Sequence, residues 1–330
     1  MPLPDINVSF LSLDNANAFP QTHKGGIIVI GNFDGVHAGH RVVLQHALDL
    51  SGGALPVFAL TFEPHPRTIF QPEKPVFRIS PMDEKSTLLR ACGLSGVVNW
   101  PFSRSFASLS AEEFVDKILL EFLGASHVVV GYDFHFGKGR EGSPSFLLET
   151  GKARGFGVTV VPRVNLPDGL AVSSSAIRDH LIAGKIRDAN NELGYHWFVK
   201  AEVVHGEKRG RELGYPTANM QLSDTTKLAQ GIYAVSVRRA NGELFNGVAS
   251  YGRRPQFDNG APLLESYLFD FSGDLYAETL TIIFHEYLRG EAKFDGIDEL
   301  IAQMDKDSAQ AREVLSHAKP LSELDERLSF

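Results

Sequence analysis

Cysteine is almost absent: Cys92 is the only one in 330 residues. An intrachain disulfide is therefore impossible, a cysteine-built zinc site is implausible, and Cys92 reads as a small buried apolar residue. Positive charge is not in excess either. The 32 lysines and arginines stand against 40 aspartates and glutamates, a formal net charge of −8. Phosphate backbones select basic surfaces, so nucleic acid is not expected as the main partner, whereas a nucleotide in a local pocket stays compatible. No apolar run approaches the roughly 20 residues of a membrane-spanning helix. Residues 1–6 lack the basic and apolar regions of a secretory signal. No membrane partner and a cytoplasmic location are the expectations. A Gly-x-x-x-x-Gly-Lys-Ser/Thr phosphate loop is missing, as are internal repeats and long low-complexity tracts. What remains is 43% hydrophobic and 22% charged, a globular composition long enough for two ordinary domains or one large one.

Short apolar runs alternate with helical spacing from residue 26 to about residue 185. Residues 27–30, 55–60, 96–99, 127–130 and 158–161 read as strands. Residues 41–50, 83–92, 110–123 and 143–155 read as helices, the third opened by the capping box Ser110-Ala-Glu-Glu113. This alternation predicts a parallel sheet with helices on both faces, whose ligands bind beyond the carboxyl ends of the strands. Helices over residues 174–184 and 186–193 follow. From His196 the pattern turns to strands, at 196–204, 233–238, 245–250, 265–271 and 279–284, with turns such as Asn241-Gly242 between them. Helical spacing returns over residues 297–318. An antiparallel barrel with a terminal helix is the expectation for this half, with the boundary near residue 186.

Chemistry concentrates in Gly31-Asn32-Phe33-Asp34-Gly-Val-His37-Ala-Gly39-His40, between a predicted strand and a predicted helix. Glycines let the backbone approach a phosphate, the helix N-terminus offers N–H groups and partial positive charge, and each imidazole can donate to a phosphate oxygen. Three further stretches sit at strand ends or helix starts: Thr61-Phe-Glu-Pro-His65-Pro66, Gly131-Tyr-Asp133-Phe-His135, and Ser173-Ser174-Ser175-Ala-Ile-Arg178. Arg178 can clamp phosphates with a fixed guanidinium fork. Taken singly, each is also readable as turn punctuation, an ordinary loop or a capped helix. In the second half, Gly206-Glu-Lys-Arg-Gly-Arg-Glu-Leu-Gly214-Tyr-Pro216-Thr217-Ala-Asn219 is a glycine-punctuated basic loop able to wrap a triphosphate. Thr217 and Asn219 offer neutral oxygens at i and i+2, suited to a Mg²⁺ that keeps several waters.

The His-x-Gly-His turn resembles the signature of nucleotidyltransferases. Together with Pro64-His-Pro66, Gly131-Tyr-Asp-Phe134 and Ser-Ser-Ser-Ala-Ile-Arg178, it is similar to the first module of prokaryotic bifunctional riboflavin kinase/FAD synthetase. Pro216-Thr-Ala-Asn219, Gly247-Val-Ala-Ser-Tyr-Gly252, Leu264-Glu-Ser-Tyr267 and Leu288-Arg-Gly-Glu-Ala-Lys-Phe294 resemble its kinase module. The resemblance implies an α/β chain: a Rossmann-like nucleotidyltransferase domain over residues 1–186, then a β-barrel riboflavin kinase domain with a terminal helix over residues 187–330. It implies riboflavin, FMN, FAD and ATP as partners and Mg²⁺ as the metal; weak self-association stays open. His37, His40, Arg178 and Glu265 would be catalytic, Glu265 as the base of the kinase. Gly31, Asn32, Phe33, Asp34, Gly39, Ser174 and Ser175 would bind ATP in the first module, and His65 and Asp133 would bind FMN. Lys208, Gly210, Gly214 and Pro216 would bind ATP in the second, Arg289 and Phe294 the flavin, and Thr217 and Asn219 the Mg²⁺. Ser175 stands for a usual threonine, His135 for arginine, Ser250 for asparagine and Ala277 for glycine. One active module beside a degenerate one, or a flavin- or nucleotide-binding regulator, are the rival readings.

Overall fold

The computed structural model describes residues 10–14, 18–163, 172–206, 214–253 and 262–328. The chain divides into two compact units, Met1–Val76 with Ser80–Ser173, and Phe77–Ile79 with Ser174–Phe330.

In the first unit strands and helices alternate: β1 (Leu11–Leu13), β2 (Ile27–Ile30), α1 (Ala38–Ser51), β3 (Val57–Glu63), α2 (Pro66–Phe70), α3 (Met82–Ala91) and β4 (Gly96–Pro101). Then come α4 (Ala111–Glu113), continued as a π-helix over Phe114–Phe122, β5 (His127–Gly131), α5 (Pro144–Arg154) and β6 (Gly157–Val161). The six strands are parallel, in the order β1-β4-β3-β2-β5-β6. Cover on both faces explains the unbroken apolar strands. Ile28, Ile30, Phe58, Leu60, Val128 and Val130 share a core with Phe114, Val115, Ile118, Leu119 and Leu147. The intervening Ile27, Val29, Ala59, Val97 and Val129 are equally buried, and α1 lies against β2, β3 and β5. The chain winds from β2 outward through β3 and β4, then returns to β5 and β6 on the other side. The carboxyl ends of β2 and β5 therefore flank the switch point where loops part and leave a crevice.

Helix α1 starts three residues before the predicted residue 41, because His37 caps it with its own imidazole. The capping box of α4 forms as predicted: Glu113 N–H donates to Ser110 Oγ at 3.1 Å and Ser110 N–H to Glu113 Oε2 at 3.0 Å.

The second unit holds α6 (Ser174–Ile182), α7 (Ile186–Leu193), β7 (Phe198–Val204), β8 (Thr217–Gln221), β9 (Gly231–Arg238), β10 (Leu244–Arg253), β11 (Pro262–Leu268), β12 (Thr279–Arg289), α8 (Ile297–Ser316) and α9 (Glu323–Leu328). Its strands close an antiparallel barrel in the order β10-β11-β8-β7-β12-β9. Side chains alternate across each strand. Met220, Tyr233, Val235, Ala249, Tyr251, Leu264, Ile282 and Phe284 fill the interior. Their sequence neighbours face outward. Helix α8 lies against β9, β10 and β12, where its Ala311 and Leu315 pack on Ala234 and Phe269. Asn190 ties α7 to the barrel, its Nδ2 donating to the Phe284 carbonyl at 2.9 Å and its Oδ1 accepting from Trp197 N–H at 2.8 Å. Ala277, which stands for a frequent glycine, takes φ 60°, in the left-handed region that favours glycine.

Among the described residues, no helix is long and apolar enough to cross a membrane. Among them, too, no group of three His, Cys, Asp or Glu is placed to hold a metal.

Candidate active sites

The first site is built on the turn from β2 to α1. A Cβ on Gly31 would lie 2.9 Å from the Phe33 ring, so only glycine lets that ring fold back against the strand end. Phe33 (φ 47°) and Val36 (φ 39°) both occupy the left-handed region. That region is rare for a non-glycine residue and an outlier for a β-branched one, costing of order 1–3 kcal/mol each. The turn is pinned against this strain. Both side chains are buried, Arg41 Nη1 donates to the Val36 carbonyl at 3.1 Å, and Gly35 N–H donates to Ser80 Oγ at 2.7 Å. Asp34 is 1% exposed and accepts from Ser80 N–H at 3.0 Å, so it braces the turn.

The strained turn presents two imidazoles. The His37 and His40 rings stack at 3.7 Å with 19° between their planes, and Phe33 meets His40 edge-on at 5.5 Å. His37 Nδ1 accepts from the His40 N–H at 3.4 Å. A neutral imidazole that accepts at Nδ1 carries its proton on Nε2, which makes Nε2–H the donor it offers a ligand. Gly39 and His40 lie in the first turn of α1, at the positive end of the helix dipole, which favours an anion.

His65 lies in the turn after β3 and caps α2, its Nδ1 accepting from Arg67 N–H at 3.1 Å. Asp133 is exposed in the turn after β5, which Phe134 N–H closes on the Gly131 carbonyl at 3.1 Å. His37, His40, His65 and Asp133 thus all follow the carboxyl ends of three adjacent strands, β3, β2 and β5. Ser174, Ser175 and Arg178 belong to the second unit, in the opening turns of α6, with Arg178 Nε–H donating to the Phe77 carbonyl at 2.7 Å. Two polar residues near the β2–α1 turn were given no role by the sequence: Thr61, which only opens the stretch 61–66, and Lys85; both are 0% exposed. In Asp83-Glu-Lys-Ser86 the lysine reads as one charge of a solvated run.

The second site lies on the outer face of the barrel. Asn219 on β8 is directly opposite Glu265 on β11, and Glu265 is opposite Ser250 on β10. Thr217, on the same face, is opposite Tyr267. Opposed residues of an antiparallel pair hold their Cβ atoms about 4.5–5.5 Å apart, so strand register alone brings Asn219 to Glu265. Asn219 Nδ2 donates to the Thr217 carbonyl at 3.2 Å. The Gly206 backbone packs on that amide so closely that a Cβ would lie 2.6 Å from Asn219 Cγ. These contacts orient the side chain and leave Oδ1 as its acceptor.

Gly214, at φ 83°, and Pro216 lead into β8. Tyr215 between them donates its hydroxyl to Asp305 of α8 and meets Tyr267 edge-on at 4.9 Å. Burial first, then the Asp305 carboxylate, pushes this phenol up to about 12. Lys208 and Gly210 lie outside the described residues. Arg289 Nε and Nη2 donate to Asp307 of α8 at 2.8 and 2.6 Å, and Nη1 donates to the Gly290 carbonyl at 2.9 Å. Its guanidinium stands 5.9 Å from the centre of the Phe294 ring.

A doubly wound sheet carrying paired imidazoles at a helix N-terminus, followed by a barrel with a Thr–Asn–Glu face, defines a two-module, ATP-using transferase. Residues 19–176 match the FAD synthetase family model, and residues 193–315 match the riboflavin kinase model. The chain belongs to the bifunctional riboflavin kinase/FMN adenylyltransferase family. It is 40% identical over 295 residues to the family member of Pseudomonas fluorescens, covering 88% of this chain and 93% of that one. With the Escherichia coli K12 member it shares 36% over 310 residues, covering 93% and 98%. A crystal structure described as a macrolide-efflux protein from Streptococcus pneumoniae superposes with a TM-score of 0.79 at 29% identity, over 94% of this chain and all of that one.

Proposed function

We infer that the barrel module phosphorylates riboflavin to FMN with ATP, and that the sheet module joins FMN to the adenylyl group of a second ATP, giving FAD and pyrophosphate. The observation that carries this reading is the register of Glu265 against Asn219 in the same chain as the stacked His37–His40 turn. The boundary between the two modules is proposed near residue 186, which falls between the two matched stretches, 19–176 and 193–315.

In the kinase step a neutral hydroxyl must become a nucleophile. Glu265 accepts the proton of the riboflavin 5′-hydroxyl as that oxygen attacks the γ-phosphorus and ADP departs. Thr217 and Asn219 fit Mg²⁺: two neutral, hard oxygens on one strand face, with the Asn219 amide nitrogen already committed to backbone. Held by these two side chains, Mg²⁺ would supply charge neutralisation for the phosphates. Lys208, Gly210, Gly214 and Pro216 are assigned to the triphosphate. Arg289, held rigid by Asp307, and Phe294 are assigned to the flavin ring.

In the adenylyl step the attacking FMN phosphate oxygen is already anionic. It attacks the α-phosphorus, the bond to pyrophosphate breaks, and no base is needed. Catalysis is positioning and charge stabilisation, the role given to His37 and His40 as donors over the α1 N-terminus. Gly31, Asn32, Phe33 and Gly39 shape the ATP pocket, with Asp34 bracing it. Ser174, Ser175 and Arg178 join on the family pattern, and His65 and Asp133 are assigned to FMN.

The test is incubation of the purified protein with riboflavin, ATP and Mg²⁺, with FMN and FAD separated chromatographically. Both products are expected. FMN alone would leave one active module, and neither product would leave a binding protein.

A further inference from the structure

We propose that Lys85 is a positioning residue for adenylyl transfer, acting through Thr61 on the peptide that aims the β2–α1 turn. The proposal rests on the sheet module being the adenylyltransferase. Lysine is seldom wholly buried, since its long stem can carry the ammonium to water. Lys85 does not do so. Its side chain is 0% exposed, and its Nζ donates to Thr61 Oγ1 at 2.8 Å and to Glu63 Oε1 at 2.6 Å. Thr61 Oγ1 in turn donates to the Asn32 carbonyl at 3.1 Å.

The direction of this chain is fixed by chemistry. An ammonium only donates and a carbonyl only accepts, so the Thr61 hydroxyl has one orientation that serves both. The ionised donor strengthens the first link, and hydrogen bonds in series polarise one another. The last link sets the Asn32–Phe33 peptide. Because a trans peptide is planar, turning the Asn32 carbonyl towards Thr61 aims the Phe33 N–H the opposite way. Phe33 is the residue held at φ 47°, and its ring meets His40 edge-on. A buried charge on α3 therefore holds the strained residue that positions a catalytic imidazole. Thr61 and Glu63, two apart on β3, are on one face of the strand, which is why one ammonium reaches both.

Thr61→Val tests this best, since it keeps the shape, removes the relay and leaves Lys85 paired with Glu63. The turnover of FMN to FAD is expected to fall about 10–100-fold, as a misplacement of about 1 Å does. KM for ATP and FMN should change less than about threefold, the mark of an interaction that matters in the transition state. Riboflavin phosphorylation by the same sample should stay at the parent rate, and Thr61→Ser should restore FAD formation. Lys85→Met should cost as much as Thr61→Val, and the double variant no more than either, because both break one chain. If Lys85→Met does not fold, the valine and serine variants decide. Parent turnover in Thr61→Val, equal loss of both activities, or failure of serine to rescue would each overturn the proposal. A parent protein that forms no FAD overturns the reading of the module itself. A parent that does, beside an indifferent Thr61→Val, overturns the role of Lys85 and Thr61 alone.

Discussion

Alanine at Gly206 tests the barrel site at its tightest contact. The added Cβ would sit 2.6 Å from Asn219 Cγ and Nδ2 and 2.7 Å from Oδ1. Favourable contacts between such heavy atoms lie at about 3.5–4.0 Å, so the amide must retreat by about 1 Å. It cannot retreat in place, because Asn219 is only 9% exposed and its Nδ2 is bonded to the Thr217 carbonyl. Breaking that bond costs roughly 1 kcal/mol, which in a unit of this size lowers Tm by about 2–4 °C. The catalytic effect should be larger than the stability effect. A displacement of about 1 Å in a positioning group costs up to ~10²-fold in rate, so riboflavin phosphorylation should fall ~10–100-fold. Much of the loss should appear as a raised requirement for Mg²⁺ and ATP, since Asn219 Oδ1 is the atom displaced. FMN adenylylation, measured on the same preparation by chromatography, should be unchanged. A Gly206→Ala protein with parent kinase kinetics would refute the reasoning, because the Asn219 amide could then move without consequence.

His37→Ala or His40→Ala should reduce FAD formation by at least ~10²-fold, as loss of an oriented charge-stabilising donor does, while FMN still accumulates from riboflavin. Loss of both products from a folded variant would contradict the assignment of these imidazoles to one module. Glu265→Gln should cost ~10²–10⁴ in kinase rate and leave the conversion of supplied FMN to FAD intact; a parent rate would make Glu265 structural. Acid should weaken the barrel unit through His285, whose Nε2 is 3.0 Å from Ser236 Oγ. Burial, then the neighbouring His196, holds its imidazole down to about 3, a shift that Asp325 only partly opposes. A depressed folded value gives stability that is present above the unfolded value near 6.5 and is lost as pH falls towards 3, at about 1.4 kcal/mol per pH unit. Asp325 adds to this only at lower pH. Burial raises its carboxyl, but the hydrogen bond from His196 and the backbone N–H groups of Leu321 and His196 together hold it below the ordinary range. Urea midpoints of the parent should therefore drop between pH 6.5 and 4.5 and those of His285→Gln should drop less, whereas a flat parent curve would contradict the burial of His285.

The strand–helix alternation of the first half was legible because its strands are covered on both faces, so each is an unbroken apolar run. The histidine turn was legible for a different reason: strand, glycines, imidazoles and helix lie within one local stretch. Its internal strain was not, since nothing in Asn-Phe-Asp-Gly-Val marks Phe33 and Val36 for the left-handed region. The start of α1 was misplaced because histidine is not among the usual capping residues. Strand β8 read as the end of a loop, because Thr-Ala-Asn-Met-Gln has no clean alternation and is made a strand by its non-local pairing with β11. For the same reason the opposition of Asn219 and Glu265 was not legible: the family resemblance gave each a role but not their pairing. Lys85 escaped because whether a lysine in a polar run faces water or the core is decided by what lies beneath it. Here that is Thr61 and Glu63, more than twenty residues away.

The two sites answer different demands. A hydroxyl needs a base at a fixed distance, and Glu265, the proposed base, sits mid-ladder between Asn219 and Ser250, where pairing on both sides leaves its backbone little freedom. A phosphate nucleophile needs no base, but its reaction gathers charge on the α-phosphate and pyrophosphate, which calls for donors clustered at one point. A strained turn at a helix N-terminus is the proposed cluster, with the stacked imidazoles beside the positive end of the helix dipole. The first reaction creates the phosphate that makes a base unnecessary in the second. Exchanging the two proposed sites between the modules would leave each nucleophile with a poorer partner: riboflavin facing groups arranged to donate to phosphate rather than a carboxylate placed to take its proton, and FMN facing a carboxylate that repels its phosphate.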